Sequence, residues 1–184
     1  AIVAAENPWR YQAHPEVWVL VLSLVGLYVY MIRKVGPTVV GPGRQVVSRK
    51  QVVCFVAGIL MLWLASDWPV HDVGEQYLYS WHMFQHMTLT YFMPPLMLLA
   101  TPEWFFRILI GRARTYSVLR FFTRPVTAGV IFNAMVMITH IPGVVNASTE
   151  NGFLHYGLHV ALVVASLCMW MPVIGPFHEL RIGT

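Results

Sequence analysis

Apolar stretches long enough to cross a bilayer alternate with short polar connections along this chain of 184 residues. A membrane-spanning helix needs roughly 20 mainly apolar residues. The pattern predicts spans at residues 16–32, 51–66, 76–100, 125–141 and 153–173. We therefore expect an all-α fold, a multi-pass helical membrane protein with a bundle of about five transmembrane helices in one membrane domain, residues 1–184.

The segments between the predicted spans, and the prolines within the third span, allow further predictions. Residues 103–124 mix bulky apolar side chains with five arginines, a composition typical of an amphipathic segment at the membrane interface. The stretch from Pro142 to Gly152 is predicted to be a polar loop. In the acidic connection before the third span, we expect the carboxylates of Asp67, Asp72 and Glu75 to be solvated by water, as is usual in a loop. Within the third span, the pair Pro94–Pro95 predicts a kink or a break.

Composition supports a membrane protein and argues against a soluble domain, a nucleic-acid-binding protein and a disulfide-rich fold. Hydrophobic residues make up 57% of the chain and charged residues only 11%, which is rare in a soluble domain. The net charge of +4 comes from basic connections, so it indicates membrane topology rather than nucleic-acid binding. The two cysteines are too few and too far apart to form a disulfide framework or a CxxC motif.

The basic residues predict the orientation. Lys and Arg cluster between the first and second spans and between the third and fourth, whereas the other two connections contain none. Because basic connections stay in the cytoplasm, the amino terminus is expected outside and the carboxyl terminus inside.

Two histidine pairs are the candidate chemistry. His82 and His86 lie one helical turn apart in the third span, and His155 and His159 repeat that spacing in the fifth; His140 ends the fourth span. Residues four apart share a helix face, and burying imidazole in a membrane requires a partner. The predicted topology places all five near the outer surface, which predicts a metal or haem site.

The residues alone leave the ligand open. Imidazole binds copper, zinc, iron and nickel, while the nearby methionines Met83 and Met87 favour Cu(I). Haem held axially by histidines from different helices is the alternative. Candidate hydrogen-bond partners for the free ring nitrogens are Gln85, Thr139 and Asn133. No nucleophile arrangement or nucleotide-binding motif indicates an enzyme.

Three motifs resemble one protein family. WHMFQHMTLTYFMPPLMLLATP, THIPGVVNAS and LHYGLHVALVVASLCMWMPVIGP are similar, in order, to signatures of the CtaG-type cytochrome c oxidase assembly factors found with caa-type oxidases. Members of that family usually continue through further spans beyond the five predicted here. The motifs carry the family's histidines over to this chain at the following positions: His82, His86, His140, His155 and His159.

The resemblance implies a non-catalytic factor in the bacterial plasma (inner) membrane. Such a factor would bind copper at the outer leaflet and deliver it to a respiratory cytochrome c oxidase, so its partners would be the lipid bilayer and the oxidase subunits or another membrane complex. Two alternatives remain open: a haem-binding membrane cytochrome, and an accessory structural subunit of a respiratory complex.

Overall fold

The computed structural model describes residues 11–111 and 113–182, and these form helices without a β-strand. Contacts divide the chain into two compact units, residues 1–93 and 94–184. The all-α membrane class is confirmed by this architecture. The prediction of one membrane domain stays a prediction.

The first unit contains two long helices and a shorter pair. The helices are α1 (Pro15–Tyr30), α2 (Gly36–Val40), α3 (Arg49–Ser66), α4 (Val70–Gln76) and α5 (Tyr79–Met87), with π-helical turns at Met31–Val35 and Thr88–Phe92. Helix α3 packs against α1, where the rings of Tyr28 and Phe55 stack with centroids 3.7 Å apart. Helix α4 lies close against α5, because a Cβ atom on Gly74 would come within 3.0 Å of the His82 backbone nitrogen.

The second unit follows from the end of the predicted third span. Its helices are α6 (Met93–Ala100), α7 (Glu103–Ile110), α8 (Ala113–Phe122), α9 (Pro125–Thr139), α10 (Pro142–Glu150) and α11 (Gly152–Ile174), and a 3₁₀ turn covers His178–Leu180. Helices α9 and α11 pack together around Phe132, Leu162 and Ala165.

Three helices are long and apolar enough to cross a membrane: Pro15–Val40, Arg49–Ser66 and Gly152–Ile174. A fourth is added if Arg114–Phe122 and Pro125–Thr139, bent by 71°, count as one span. This number, found among the described residues, is roughly consistent with the prediction of about five. The helical stretch from Tyr79 to Ala100 is about 30 Å long at 1.5 Å per residue. It is not one of the three, and it carries the polar side chains of the first histidine pair.

Both π-helical turns precede prolines. They explain why the first helical stretch is longer than expected and why the helix is not broken at Pro94–Pro95, where a kink stays a prediction. The first helical stretch was expected to end at residue 32, yet it continues through Met31–Val35 to Val40, past Pro37. Likewise, Pro94 and Pro95 do not break the helix, since Thr88–Phe92 widens just before them. Proline lacks an N–H and collides with the carbonyl four residues earlier, and a wider turn accommodates both effects. Gly41, with φ of +88°, then ends the first stretch.

The expected loop after the fourth span is wrong. Pro142–Glu150 forms helix α10, with Pro142 in the first turn, where a missing N–H costs nothing. Residues 144–148, with the sequence VVNAS, resemble a polar loop in composition, but none of them stops a helix. Only Asn151 separates α10 from α11, and its side chain accepts a hydrogen bond from Leu154 N.

The amphipathic segment 103–124 forms α7 and α8, with Arg112 outside the described residues. The carboxyl-terminal tail holds this segment in place. Arg107 bonds Glu103 and Glu179 at 2.7 and 3.0 Å, and Tyr116 donates to Glu179 at 3.1 Å. The hydrogen bond from Arg107, followed by that from Tyr116, lowers the pKa of Glu179. Arg107 also lies over the ring of the buried Phe177, 5.2 Å from its centroid.

Truncating Phe132 tests the core of the second unit. Phe132 is 1% exposed between α9 and α11, so Phe132→Ala should lower the free energy of unfolding by about 3–5 kcal/mol. Val130→Ala is the control, because Val130 lies on the same helix and is 63% exposed. Thermal unfolding in detergent measures both. Equal stability of the two variants would contradict this packing.

Candidate metal centre

The first histidine pair meets through its ring nitrogens. His82 and His86 lie on α5, and their Nε2 atoms are 2.9 Å apart. In the neutral pair one nitrogen donates and the other accepts. Two ligands this far apart, each about 2.0–2.1 Å from one ion, subtend an angle of about 90° at the ion. The pair therefore has the spacing of two adjacent ligands on one metal ion.

Gln85 ties this helix to the one before it. Its side chain is 2% exposed, and its Nε2 donates to His71 Nδ1 on α4 at 3.0 Å. Gln85 Oε1 is buried and has no hydrogen-bond partner among the described residues. Sequence reasoning expected Gln85 to hold a ring nitrogen of the histidine pair. The amide instead donates to His71 on α4.

A second polar cluster lies beside His71. His14, just before α1, donates from Nε2 to Asp72 Oδ2 at 3.1 Å and from Nδ1 to Glu16 Oε1 at 3.2 Å. The rings of His14 and His71 meet edge to face with centroids 5.0 Å apart. Burial by itself lowers the pKa of His14, but the hydrogen bonds to Asp72 and then Glu16 outweigh it, and the pKa is raised.

Asp67 and Asp72, before α5, are buried, so the expectation of ordinary solvation is wrong for these two carboxylates. Asp72 is 4% exposed and lies on α4. Asp67 is 6% exposed and accepts from Trp63 Nε1 at 2.8 Å and from Trp68 N at 2.9 Å. The side chain of Glu75 lies outside the described part of the structure. Asp72 and His14 are 58 residues apart, so no local sequence pattern predicts that they pair, and only the fold reveals it.

The second histidine pair begins α11. His155 and His159 are half-buried, with ring centroids 4.6 Å apart. In the same unit His140 follows α9, and its Nδ1 donates to the Val136 carbonyl at 2.6 Å. A carbonyl only accepts, so His140 carries its proton on Nδ1, the tautomer in which Nε2 can bind a metal.

Of the two residues expected to hydrogen-bond these rings, Thr139 lies near a ring nitrogen and Asn133 bonds its own helix. Thr139 Oγ1 lies 3.3 Å from His140 Nδ1, as the sequence suggested. Asn133 instead donates to the Gly129 carbonyl of its own helix at 2.8 Å.

The fold brings together each pair within its own helix. His82 and His86 belong to the first unit, and His140, His155 and His159 belong to the second. Among residues 11–111 and 113–182, no group of three or more His, Cys, Asp or Glu side chains is arranged to hold a metal ion. A single centre built from all five histidines stays a prediction.

Comparison with known families decides the identity. Residues 6–182 match the family described as cytochrome c oxidase caa3 assembly factor (Caa3_CtaG), which is nearly the whole chain. The chain belongs to this family. Both histidine pairs and His140 lie within the matched region. No curated protein and no solved structure matches the chain significantly.

Membership in the caa3 assembly factor family confirms the resemblance read from the motifs. The family description names oxidase assembly and no metal. The Nε2 atoms of His82 and His86 have the spacing of a metal ligand pair.

The contact between His14 and Asp72 in this assembly factor makes stability depend on pH. Since the pKa of His14 is raised above 6.5, the ion pair contributes fully below 6.5 and is lost as pH rises through the raised value. Asp72→Asn should therefore lower the free energy of unfolding at about pH 6 by roughly 1 kcal/mol or less, and flatten the pH dependence. Glu16 and His71 face His14 as well and remain in the variant.

Thermal unfolding in detergent between about pH 6 and pH 9, a range that starts below the ordinary histidine pKa of about 6.5 and extends above it, provides the measurement. Glu150→Gln is the control, because Glu150 is exposed at the end of α10 in the other unit. A variant at Asp72 that keeps the full pH dependence of the unchanged protein would contradict the role of this contact.

Proposed function

We propose that this oxidase assembly factor binds copper through its outer-leaflet histidines and delivers it to a respiratory cytochrome c oxidase. The observation that carries the proposal is the pair of Nε2 atoms on His82 and His86, 2.9 Å apart within a chain of an oxidase assembly family. Neutral imidazole is a good ligand for copper. Assembly requires binding and release rather than bond chemistry, so the proposed role is non-catalytic.

Five histidines of this chain would provide the nitrogen ligands of the ion. His82 and His86 provide two nitrogens from one face of α5, and His155 and His159 provide the same arrangement on α11. His140 adds a ring whose tautomer is set by the Val136 carbonyl. Copper would supply the redox-active centre that the client oxidase needs, and this chain would supply nitrogen ligands that release protons when they bind it.

The orientation proposed from the basic connections is amino terminus outside and carboxyl terminus in the cytoplasm of a bacterial cell. The bond between His14 and Asp72 supports only a shared side, because it joins the start of α1 to the connection between α3 and α5; the basic residues alone indicate which side that is. These two regions would lie on the same outer side if α1 and α3 both cross the membrane.

Copper retention tests the histidines. His86→Ala and His159→Ala should each lower copper affinity at least tenfold, because even outer-shell changes cost about 10–100-fold. If both belong to one centre, the double variant should lose little more than either single variant. Metal analysis of the purified full chain after equilibration with Cu(I) measures retention, with folding checked by circular dichroism.

His178→Ala is the matched control, since it removes a histidine from the carboxyl-terminal 3₁₀ turn and should leave retention intact. Additive losses would indicate two separate sites, one in each unit, and would overturn the single centre. Unchanged retention in both variants would overturn histidine ligation. A reduced α-band in the visible spectrum would favour the haem alternative instead.

Cysteine labelling tests the orientation. After Cys54 and Cys168 are replaced by alanine, Val145→Cys on α10 should react with a membrane-impermeant maleimide added outside intact cells, and Thr115→Cys on α8 should not. Both positions are exposed on the protein, so only the membrane separates them from the reagent. The opposite labelling pattern would reverse the proposed orientation.

A further inference from the structure

An apolar groove runs along α1 and α3 in the first unit. Its volume is about 490 Å³, within the range of small-molecule sites. The stacked rings of Tyr28 and Phe55 lie on it, and Val25, Ile32 and Ile59 continue its lining. The groove therefore matches an elongated hydrocarbon rather than a polar ligand.

One charged side chain lines this groove. Arg33 lies in the π-helical turn Met31–Val35 and is exposed. Among the described residues, Arg33 makes no ion pair with a carboxylate, whereas Arg107 is paired with Glu103 and Glu179. An arginine near the end of a span keeps its charge at the interface, where the headgroups of lipids lie. Arg33 therefore offers an uncompensated positive charge to an anion at its end of the groove.

The surrounding sequence cannot supply that anion. Between Glu16 and Asp67 the chain contains no acidic residue. The same stretch contains the following basic residues: Arg33, Lys34, Arg44, Arg49 and Lys50. This surplus of positive charge around an apolar groove selects a ligand that combines a hydrocarbon chain with a net negative head.

We propose that this groove binds one anionic phospholipid, with an acyl chain against Tyr28 and Phe55 and the phosphate at Arg33. Guanidinium bonds phosphate oxygens in a bidentate fashion, and basic pockets between membrane helices bind anionic headgroups. A zwitterionic lipid also carries phosphate, but its ammonium group would face the surplus of basic residues. An apolar helix in the groove would leave Arg33 buried without a counter-charge.

Native mass spectrometry of the full chain in detergent tests the site with two probes, phosphatidylglycerol and phosphatidylcholine with the same acyl chains. The unchanged protein should retain phosphatidylglycerol preferentially. Arg33→Gln should reduce that preference about fivefold, the factor expected for one basic side chain. Lys34→Gln is the matched control, because it removes the same charge one residue further on and Lys34 does not line the groove.

Two more variants complete the design. Val29→Trp should fill the groove and reduce retention of both lipids, since Val29 lines it and is 42% exposed. If Arg33→Gln fails to fold by circular dichroism, Arg33→Lys replaces it and should keep the charge but weaken the preference, since lysine lacks the bidentate fork.

Three outcomes would overturn the proposal. Equal retention of the two lipids by the unchanged protein would indicate surrounding bilayer lipid only. Equal losses from Arg33→Gln and Lys34→Gln would indicate a diffuse surface charge rather than a site. A dimer that disappears in Val29→Trp would show that a second copy of the chain occupies the groove.

Discussion

Polar groups in these apolar helices depend on hydrogen-bond partners within the protein, because the hydrocarbon of a bilayer offers none. The threonines show how this works locally. Thr88 and Thr90 donate to the carbonyls of Phe84 and His86, at 2.9 and 2.6 Å, and Thr123 donates in the same way to Leu119. A hydroxyl on a helix is thus satisfied by its own helix, at no cost in long-range packing.

Prolines create the opposite problem, since they leave carbonyls without a donor. In the first helical stretch and again before Pro94, the backbone widens into a π-helical turn and continues. The helix therefore persists from Tyr79 to Ala100 despite two consecutive prolines. This continuity keeps His82 and His86 in regular helix, where a spacing of four residues makes their rings meet.

Histidine side chains also depend on hydrogen-bond partners within the protein, and each ring nitrogen can reach only a few of them. His82 and His86 bond one another, His71 accepts from Gln85, and His140 donates to a backbone carbonyl. A ring pair that bonds itself already holds two nitrogens at the spacing a metal ion needs. If both Nε2 atoms bound copper, the proton on the donating Nε2 would move to Nδ1 of the same ring. The rings would need little movement of α5, which is the physical basis for placing the proposed ligand pair there.

Gln85 makes the first unit a connected network around that pair. Its amide joins α5 to His71 on α4, and the ring of His71 lies against His14 before α1, which is paired with Asp72. The start of α1 is therefore joined to α4 and α5, although 58 residues separate His14 from Asp72 along the chain. The groove between α1 and α3 is a separate feature of the same unit and depends on the unbalanced charge of Arg33 rather than on this network.

Local periodicity was sufficient to predict the helical class, the approximate positions of the long helices, the amphipathic segment and the contact within each histidine pair. All of these depend on rise and angle per residue, which are the same in every α-helix. The neighbour contact of Thr139 with His140 was predictable for the same reason. Only the tertiary structure decided that Asp72 is buried against His14 and that Gln85 bonds His71. Those outcomes depend on which distant segments pack together, and no repeating pattern of apolar and polar residues encodes that choice.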